Sequence, residues 1–177
     1  MQTVRELEKR DIPFIINYWM ESEDDYLRGM GVNLAKMPER NEWKEFLEKL
    51  VETADQEKPS FCLIWELHGQ PIGHCNVSKI TYGEKAYMHL HIWNSQHRKQ
   101  GLAASFLDQS IPTFFEKLEL KELFCEPWAE NPAPNKALPK AGFELVDTYF
   151  GIPGWINFEQ EVNVYRYKTT SKISENP

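Results

Sequence analysis

The run "EKAYMHLHIW", residues 84–93, sets two imidazoles two positions apart. An unperturbed imidazole titrates near pH ~6.5, so His89 and His91 are suited to taking a proton at neutral pH. In a strand, side chains alternate. Tyr87, His89, His91 and Trp93 therefore share one face, and Ala86, Met88, Leu90 and Ile92 share the other. The second set is an ordinary core face. The first places two imidazoles between two aromatics, which suits a cleft that is shaped, partly dry and able to accept a proton. The same spacing would put two metal ligands on one face, the mark of a small metal-binding β protein. Ser95 and Gln96 stand where a carboxylate ligand would help, however, and no third ligand follows at workable spacing, so no metal is expected. Each histidine taken alone is also compatible with an inert, hydrogen-bonded place on a sheet.

The residues that follow, "NSQHRKQGLA", form a basic turn that ends at Gly101, where a helix with small first-turn residues begins. A helix N-terminus presents unpaired N–H groups and partial positive charge, and small residues let an anion reach them. Arg98 and Lys99 add cationic charge at the entrance. Strand, glycine turn and helix start together make an anion cradle. It is neither a Walker A loop, since no GK[ST] follows, nor a dinucleotide GxGxxG.

These residues need a scaffold. The chain has 177 residues, enough for one domain with a real core. Its net charge of −7 argues against a nucleic-acid partner. No apolar run is long enough for a membrane span, and "MQTVRELEKRD" lacks the apolar segment of a signal peptide. Cys62, Cys75 and Cys125 are widely spaced, without a CxxC, and read as reduced thiols of a cytoplasmic protein. Residues 1–168 are expected to form the domain, and the polar stretch 169–177 a disordered tail.

Periodicity gives a strand, then a helix with Asp11 as N-cap and Pro13 in its first turn. "ESEDDYLRGMGVNL" reads as a glycine-bearing connection and "PERNEWKEFLEKLVETAD" as a second helix. Three strands follow, the first two joined around His68–Pro71. The helix from Gly101 carries Pro112, which should kink it. A strand "KELFCEPW", a short helix closing at Gly142 and two final strands complete the chain. The order β-α-α-β-β-β-α-β-α-β-β is α+β, with a mixed sheet.

"RKQGLA" resembles the R/Q-x-x-G-x-G/A signature of the GNAT superfamily of acyl-CoA-dependent N-acyltransferases. "ENPAPNKALPKAGFE" resembles its second landmark, a strand-end asparagine and a helix ending in K-x-G-F, here Asn131, Lys140, Gly142 and Phe143. The resemblance covers about residues 1–168, and the full-length layout is similar to the branch acting on ribosomal-protein N-termini or small molecules. It implies a mostly antiparallel sheet flanked by helices, with acetyl-CoA as cosubstrate. It also implies transfer of the acetyl group to a primary amine, a small molecule or a peptide N-terminus, by direct attack on the thioester.

The implied cofactor-binding residues are Arg98, Lys99, Gln100, Gly101, Leu102, Ala103 and Ala104 for the pyrophosphate. Backbone of His91, Ile92 and Trp93 would meet the pantetheine arm, and Asn131 would contact it. A strand amide would polarise the thioester carbonyl. The implied base is His89, with Tyr87 and Glu84 as lesser candidates. Many members protonate the leaving thiolate with a tyrosine four residues before the helix-ending glycine, where this chain has Leu138. That departure leaves room for a non-catalytic acyl-CoA-binding module. Tyr149 and Tyr165 lie on late strands that could approach the cleft. Glu21, Glu23, Asp24 and Asp25 border the acceptor side as an attracting loop or a solvated one, and Trp155 is an edge residue or a plug. Oligomeric state, monomer or dimer, is open.

Overall fold

The computed structural model describes residues 1–98 and 100–168; Lys99 and the tail 169–177 lie outside the described residues. Strands β1 (Gln2–Glu6), β2 (Ser60–Leu67), β3 (Gln70–Thr81), β4 (Lys85–Ile92), β5 (Glu122–Cys125), β6 (Glu144–Gly151) and β7 (Gln160–Lys168) form one sheet, ordered β1-β2-β3-β4-β5-β7-β6. Every pairing is antiparallel except β4 with β5. The helices are α1 (Ile12–Glu21), α2 (Asp24–Gly29), α3 (Arg40–Glu52), α4 (Leu102–Leu118) and α5 (Pro132–Lys140). The expected mixed α+β architecture is present.

Two apolar clusters divide the packing. On one face of the sheet Phe61, Leu63, Trp65, Val77 and Met88 meet Phe106, Phe114 and Leu118 of α4. On the other, Cys62 and Ile64 meet Ile12, Ile15, Ile16 and Trp19 of α1 and Leu47 and Leu50 of α3. The alternation of β2 is thus buried on both sides, as a central strand under two helical layers requires. Trp65 fixes α4 on its face. Its ring stacks on Phe106 at 4.9 Å, and its indole N–H donates to Ser110 Oγ at 2.9 Å.

One open reading closes and two local expectations change. The acidic connection contains α2, whose Asp24 and Asp25 sit in the first turn and pair with Arg28 at 3.5 and 3.3 Å. Negative charge at a helix start and i+3, i+4 pairing account for those residues, and neither lines the cleft. Asp11 precedes α1 but does not cap it; its carboxylate takes both Arg5 Nη1 (2.6 Å) and Nη2 (2.8 Å), and the Glu8 amide at 2.9 Å. Helix α4 runs unbroken across Pro112, where the hydroxyls of Ser110 and Thr113 donate to the Phe106 and Gln109 carbonyls at 2.8 and 2.9 Å. At α5 the expectation holds. The Gly142 and Phe143 amides reach the Pro139 and Leu138 carbonyls, a paired closure that needs the left-handed φ of +89° that Gly142 adopts.

Candidate active site

The cleft floor is the face of β3 and β4 that turns away from α4. Register places His74 opposite His91, Asn76 opposite His89 and Ser78 opposite Tyr87. The intervening residues, Cys75, Val77, Ala86 and Met88, are completely buried on the α4 side. The alternation read from residues 86–93 is therefore the observed one, and β3 adds a third imidazole that the reading missed.

Beside this floor the sheet opens. Strands β4 and β5 pair only through Lys85–Tyr87 and Glu122–Phe124. Past Tyr87 the two strands part into a wedge. The Trp93 amide donates across to Ile72 O at 2.9 Å, so alternate backbone groups, those of His91 and His89, also point to β3. The backbone of Leu90 and Ile92 faces the wedge instead. Of the expected segment His91–Trp93, Ile92 presents backbone to that side, and Leu90 joins it.

At the wedge's far side, α4 begins. Gly101 has φ +75°, a left-handed value that favours glycine, and nothing lies within 4 Å of where a Cβ would stand. Leu102, Ala103 and Ala104 follow along the cleft, their first-turn amides free of helical partners. The charged part of the turn differs from expectation. Arg98 folds inward. Its Nε and Nη2 donate to the Ile92 and Trp93 carbonyls at 2.8 and 2.7 Å, and its guanidinium lies 3.8 Å above the Tyr26 ring. The planar fork matches two carbonyls at a strand end, a fit that a solvated entrance position does not offer. Gln100 turns back to the Gln96 carbonyl at 2.5 Å and does not line the cleft. Asn131 does line it, with its Oδ1 accepting from the Ala133 amide at 3.3 Å as the cap of α5. Leu138 is completely buried in the core, so the position of the usual tyrosine is a packing position here.

The three imidazoles form a graded set. His74 and His91 stack at 4.7 Å. Trp93 Nε1 donates to His74 Nδ1 at 2.7 Å, which puts the proton of neutral His74 on Nε2. Burial, then the neighbouring His89, pushes its pKa down to about 3. His91 is likewise held well below the ordinary value, chiefly by desolvation, and its Nδ1 meets Tyr18 Oη at 3.0 Å. His89 lies low in the concavity yet opens onto the cleft, with Nε2 3.0 Å from Ser78 Oγ. Its pKa too is lowered, by desolvation first and the Lys79 ammonium second.

Tyr87 stacks on Phe124 at 5.3 Å. The next residues on that face are His89 on β4 and Glu126 just past β5, which puts the two at opposite lips of the wedge. Glu126 is 14% exposed; Lys79 Nζ lies 3.5 Å from its carboxylate and Tyr149 Oη 3.4 Å. Lys79 occupies a register irregularity of β3 at φ +48°, and its ammonium sits 4.8 Å over Tyr87. Glu84 is not brought here. It lies exposed in the β3–β4 turn, and its carbonyl accepts from the Lys121 and Glu122 amides. Tyr165 is a brace, donating to Asn135 Oδ1 at 3.1 Å. Among the described residues, no group of three His, Cys, Asp or Glu side chains is placed to hold a metal ion, and no helix is long and apolar enough to cross a membrane.

Floor, wedge and helix start border one continuous cleft of about 1600 Å³. The segment after β6 roofs it. Asn157 bridges to Val32, the Asn33 amide donates to Ile156 O at 2.8 Å, and Lys79 Nζ holds Pro153 O at 2.5 Å.

Solved structures with this architecture include several acetyltransferases. The ribosomal-protein-S5-alanine acetyltransferase of Vibrio fischeri superposes with TM-score 0.78 at 18% identity, over 96% of this chain and 94% of that one. The spermidine N-acetyltransferase of Vibrio cholerae, in complex with CoA and spermine, gives 0.76 at 19% identity, over 94% and 95%. The microcin C7 self-immunity acetyltransferase MccE, in complex with acetyl-CoA and AMP, gives 0.76 at 12% identity, over 94% and 92%. At such identities the likeness establishes the fold. No curated protein matches the chain significantly by sequence. The family model described as "Acetyltransferase (GNAT) domain" matches residues 3–144, most of the chain, and the protein belongs to that family of acyltransferases.

Proposed function

We propose that the protein transfers the acetyl group of acetyl-CoA to a primary amine, which attacks the thioester directly. The observation that carries this reading is the continuity of three features along one cleft. They are the open, glycine-started helix N-terminus at Gly101, the β4 edge at Leu90 and Ile92 that no neighbouring strand covers, and the imidazole of His89 at the wedge mouth. Free first-turn amides suit a pyrophosphate, and an unpaired strand edge suits an amide-bearing arm laid alongside it. Acetyl-CoA supplies the activated acyl group. A wedge-facing amide of Leu90 or Ile92 would hold the carbonyl oxygen as charge gathers on it. A neutral His89 would accept the ammonium proton, directly or through water. Leu138 donates no proton, so the departing thiolate takes one from water or from the amine. Residues 1–168 would act as one transferase unit, monomeric or dimeric, on a small molecule or a peptide N-terminus. Three buried free thiols suit the reducing cytoplasm.

Acetyl-CoA should raise the melting temperature, since a ligand of the folded state adds about 2.7 kcal/mol at a hundredfold excess over Kd. Gly101→Glu, which sets a carboxylate where phosphate would approach backbone, should remove the shift. No shift at millimolar acetyl-CoA would overturn the reading. Release of free CoA thiol with an amine panel separates transfer from binding alone.

A further inference from the structure

One wall of the cleft is built of indoles. Trp19 from α1 and Trp43 from α3 lie parallel, centroids 5.7 Å apart and planes 10° from each other. Trp155, from the segment after β6, faces Trp43 at 6.2 Å with a 50° tilt. Trp19 also packs edge-on against His91 at 5.0 Å, so the wall runs from the imidazole floor outward. Trp155 is 63% exposed and Phe46, beside Trp43, is 43% exposed; both line the cleft. Trp43 Nε1 is buried without a hydrogen-bond partner among the described residues. A phenyl ring would avoid that orphan donor, so the broad indole face is what the position uses. Opposite, at the wedge lip, stands the carboxylate of Glu126, loosely held by Lys79 and Tyr149 at 3.5 and 3.4 Å. Lys79 links the two parts. It reaches Glu126 with the same ammonium that holds Pro153, two residues before Trp155.

We infer that the acceptor is a primary amine carrying a flat aromatic ring, its ammonium received by Glu126 and its ring laid against Trp43 and Trp155. The inference rests on the acetyl-transfer reading for the identity of the cleft and goes beyond it in naming the acceptor class. A ring between tilted indoles has the offset and edge-on contacts that aromatic pairs favour. An incoming ammonium replaces Lys79 as counterion of Glu126, while Lys79 keeps the Pro153 carbonyl and the Tyr87 face. A linear polyamine would meet apolar rings along this wall and one further carboxylate, Glu42, which already accepts from the Glu39 amide at 2.7 Å; Glu21, Asp24 and Asp25 do not line the cleft.

Three probes separate the parts: tryptamine has ring and ammonium, spermidine has ammonium without ring, and indole-3-propionate has ring without ammonium. By calorimetry tryptamine should bind about tenfold or more tighter than either, the size of one good aromatic contact or one charge-assisted pair. Trp155→Ala should remove most of that advantage, and Trp155→Phe should restore part of it. Because Trp155 is largely exposed, neither change should disturb folding. Glu126→Gln should weaken tryptamine and leave indole-3-propionate unchanged or tighter. A peptide with an N-terminal tryptophan that binds more tightly than tryptamine would assign the ring to a peptide terminus; weaker binding would assign it to a free amine. Equal binding of spermidine and tryptamine, or equal binding by wild type and Trp155→Ala, overturns the inference. Trp155-dependent tryptamine binding without release of CoA thiol leaves the subsite standing and overturns acetyl transfer instead.

Discussion

The two faces of the β3–β4 pair are built from the same strands with the same hydrogen bonds, and they share almost nothing else. Toward α4 stand Cys75, Val77, Ala86 and Met88, all without exposure and without a polar partner to find. Toward the cleft stand His74, Asn76, Ser78, Tyr87, His89 and His91, tied to Trp93, Tyr18 and one another. The first face gains by displacing water from aliphatic surface. The second gives up that gain in order to hold imidazoles neutral at fixed orientation beside an open strand edge. Stability and chemistry are thus separated by a one-residue step along the chain. A one-residue slip of register would exchange them.

The sharpest way to break the comparison is to alter the core face. Met88→Ala deletes a fully buried side chain and should cost about 2–5 kcal/mol, read as a lower urea midpoint at unchanged slope. Activity per folded molecule should stay within a few-fold. Its cleft-face neighbour should respond the other way. His89→Ala should lower kcat by roughly 10²-fold while changing the urea midpoint little, because the ring belongs to neither apolar cluster. Acetyl-CoA affinity should hold. If His89→Ala turns over at the wild-type rate, the imidazole is structural, and the proton must leave through Glu126 or water.

A smaller effect follows from acid. His74 has a folded pKa of about 3 against ~6.5 for the unfolded chain. Between those values the unfolded state binds the proton that the folded state refuses, so stability falls as pH drops below ~6.5. The His74 contribution should approach about 3 kcal/mol by pH ~4.5, with His91 acting in the same direction. His74→Gln retains an acceptor for Trp93 Nε1 and should flatten the decline of the urea midpoint between pH ~7 and ~4.5. An unchanged decline would mean that His74 is protonated in the folded protein.

How much of this was legible depended on the range of the interaction. The period-2 run 86–93 and the glycine-to-helix turn are local, and both were found where the sequence placed them. His74 was invisible because its partner, His91, is fixed by register across a hairpin, which no single strand reveals. Glu126 and Lys79 depend on the parting of β4 from β5 and on an irregularity in β3. Neither Glu-Pro nor Ser-Lys advertises such features. Asp24 and Asp25 left two readings open, an attracting loop or a solvated one, because acidity reads alike in a loop and in a helix start. Leu138 was rightly singled out as a departure, but only packing shows that it is core.

Arg98 is the residue whose role moved furthest between sequence and structure, and it marks where the two faces are joined. A cation in an anion-binding turn invites a charge-to-phosphate reading, and that reading predicts a loss of affinity that fades at high salt, because exposed charge is screened within about 10 Å at 0.1 M. The observed guanidinium instead clasps the Ile92 and Trp93 carbonyls and covers Tyr26, whose hydroxyl lies 3.2 Å from Tyr18 Oη, next to His91. Its loss should loosen the end of β4 and the Tyr26 contact without removing a phosphate ligand. Arg98→Ala should therefore weaken acetyl-CoA binding only about three- to tenfold, since the bonds lost hold the strand end and not the ligand. The ratio to wild type should be the same at about 50 and 500 mM salt. Arg98→Lys should not rescue it, since a single ammonium cannot span two carbonyls and stack on a ring as the fork does. A loss that shrinks with salt, or a lysine that restores affinity, would return Arg98 to the phosphate and leave the end of β4 to be held by the Trp93–Ile72 bond alone.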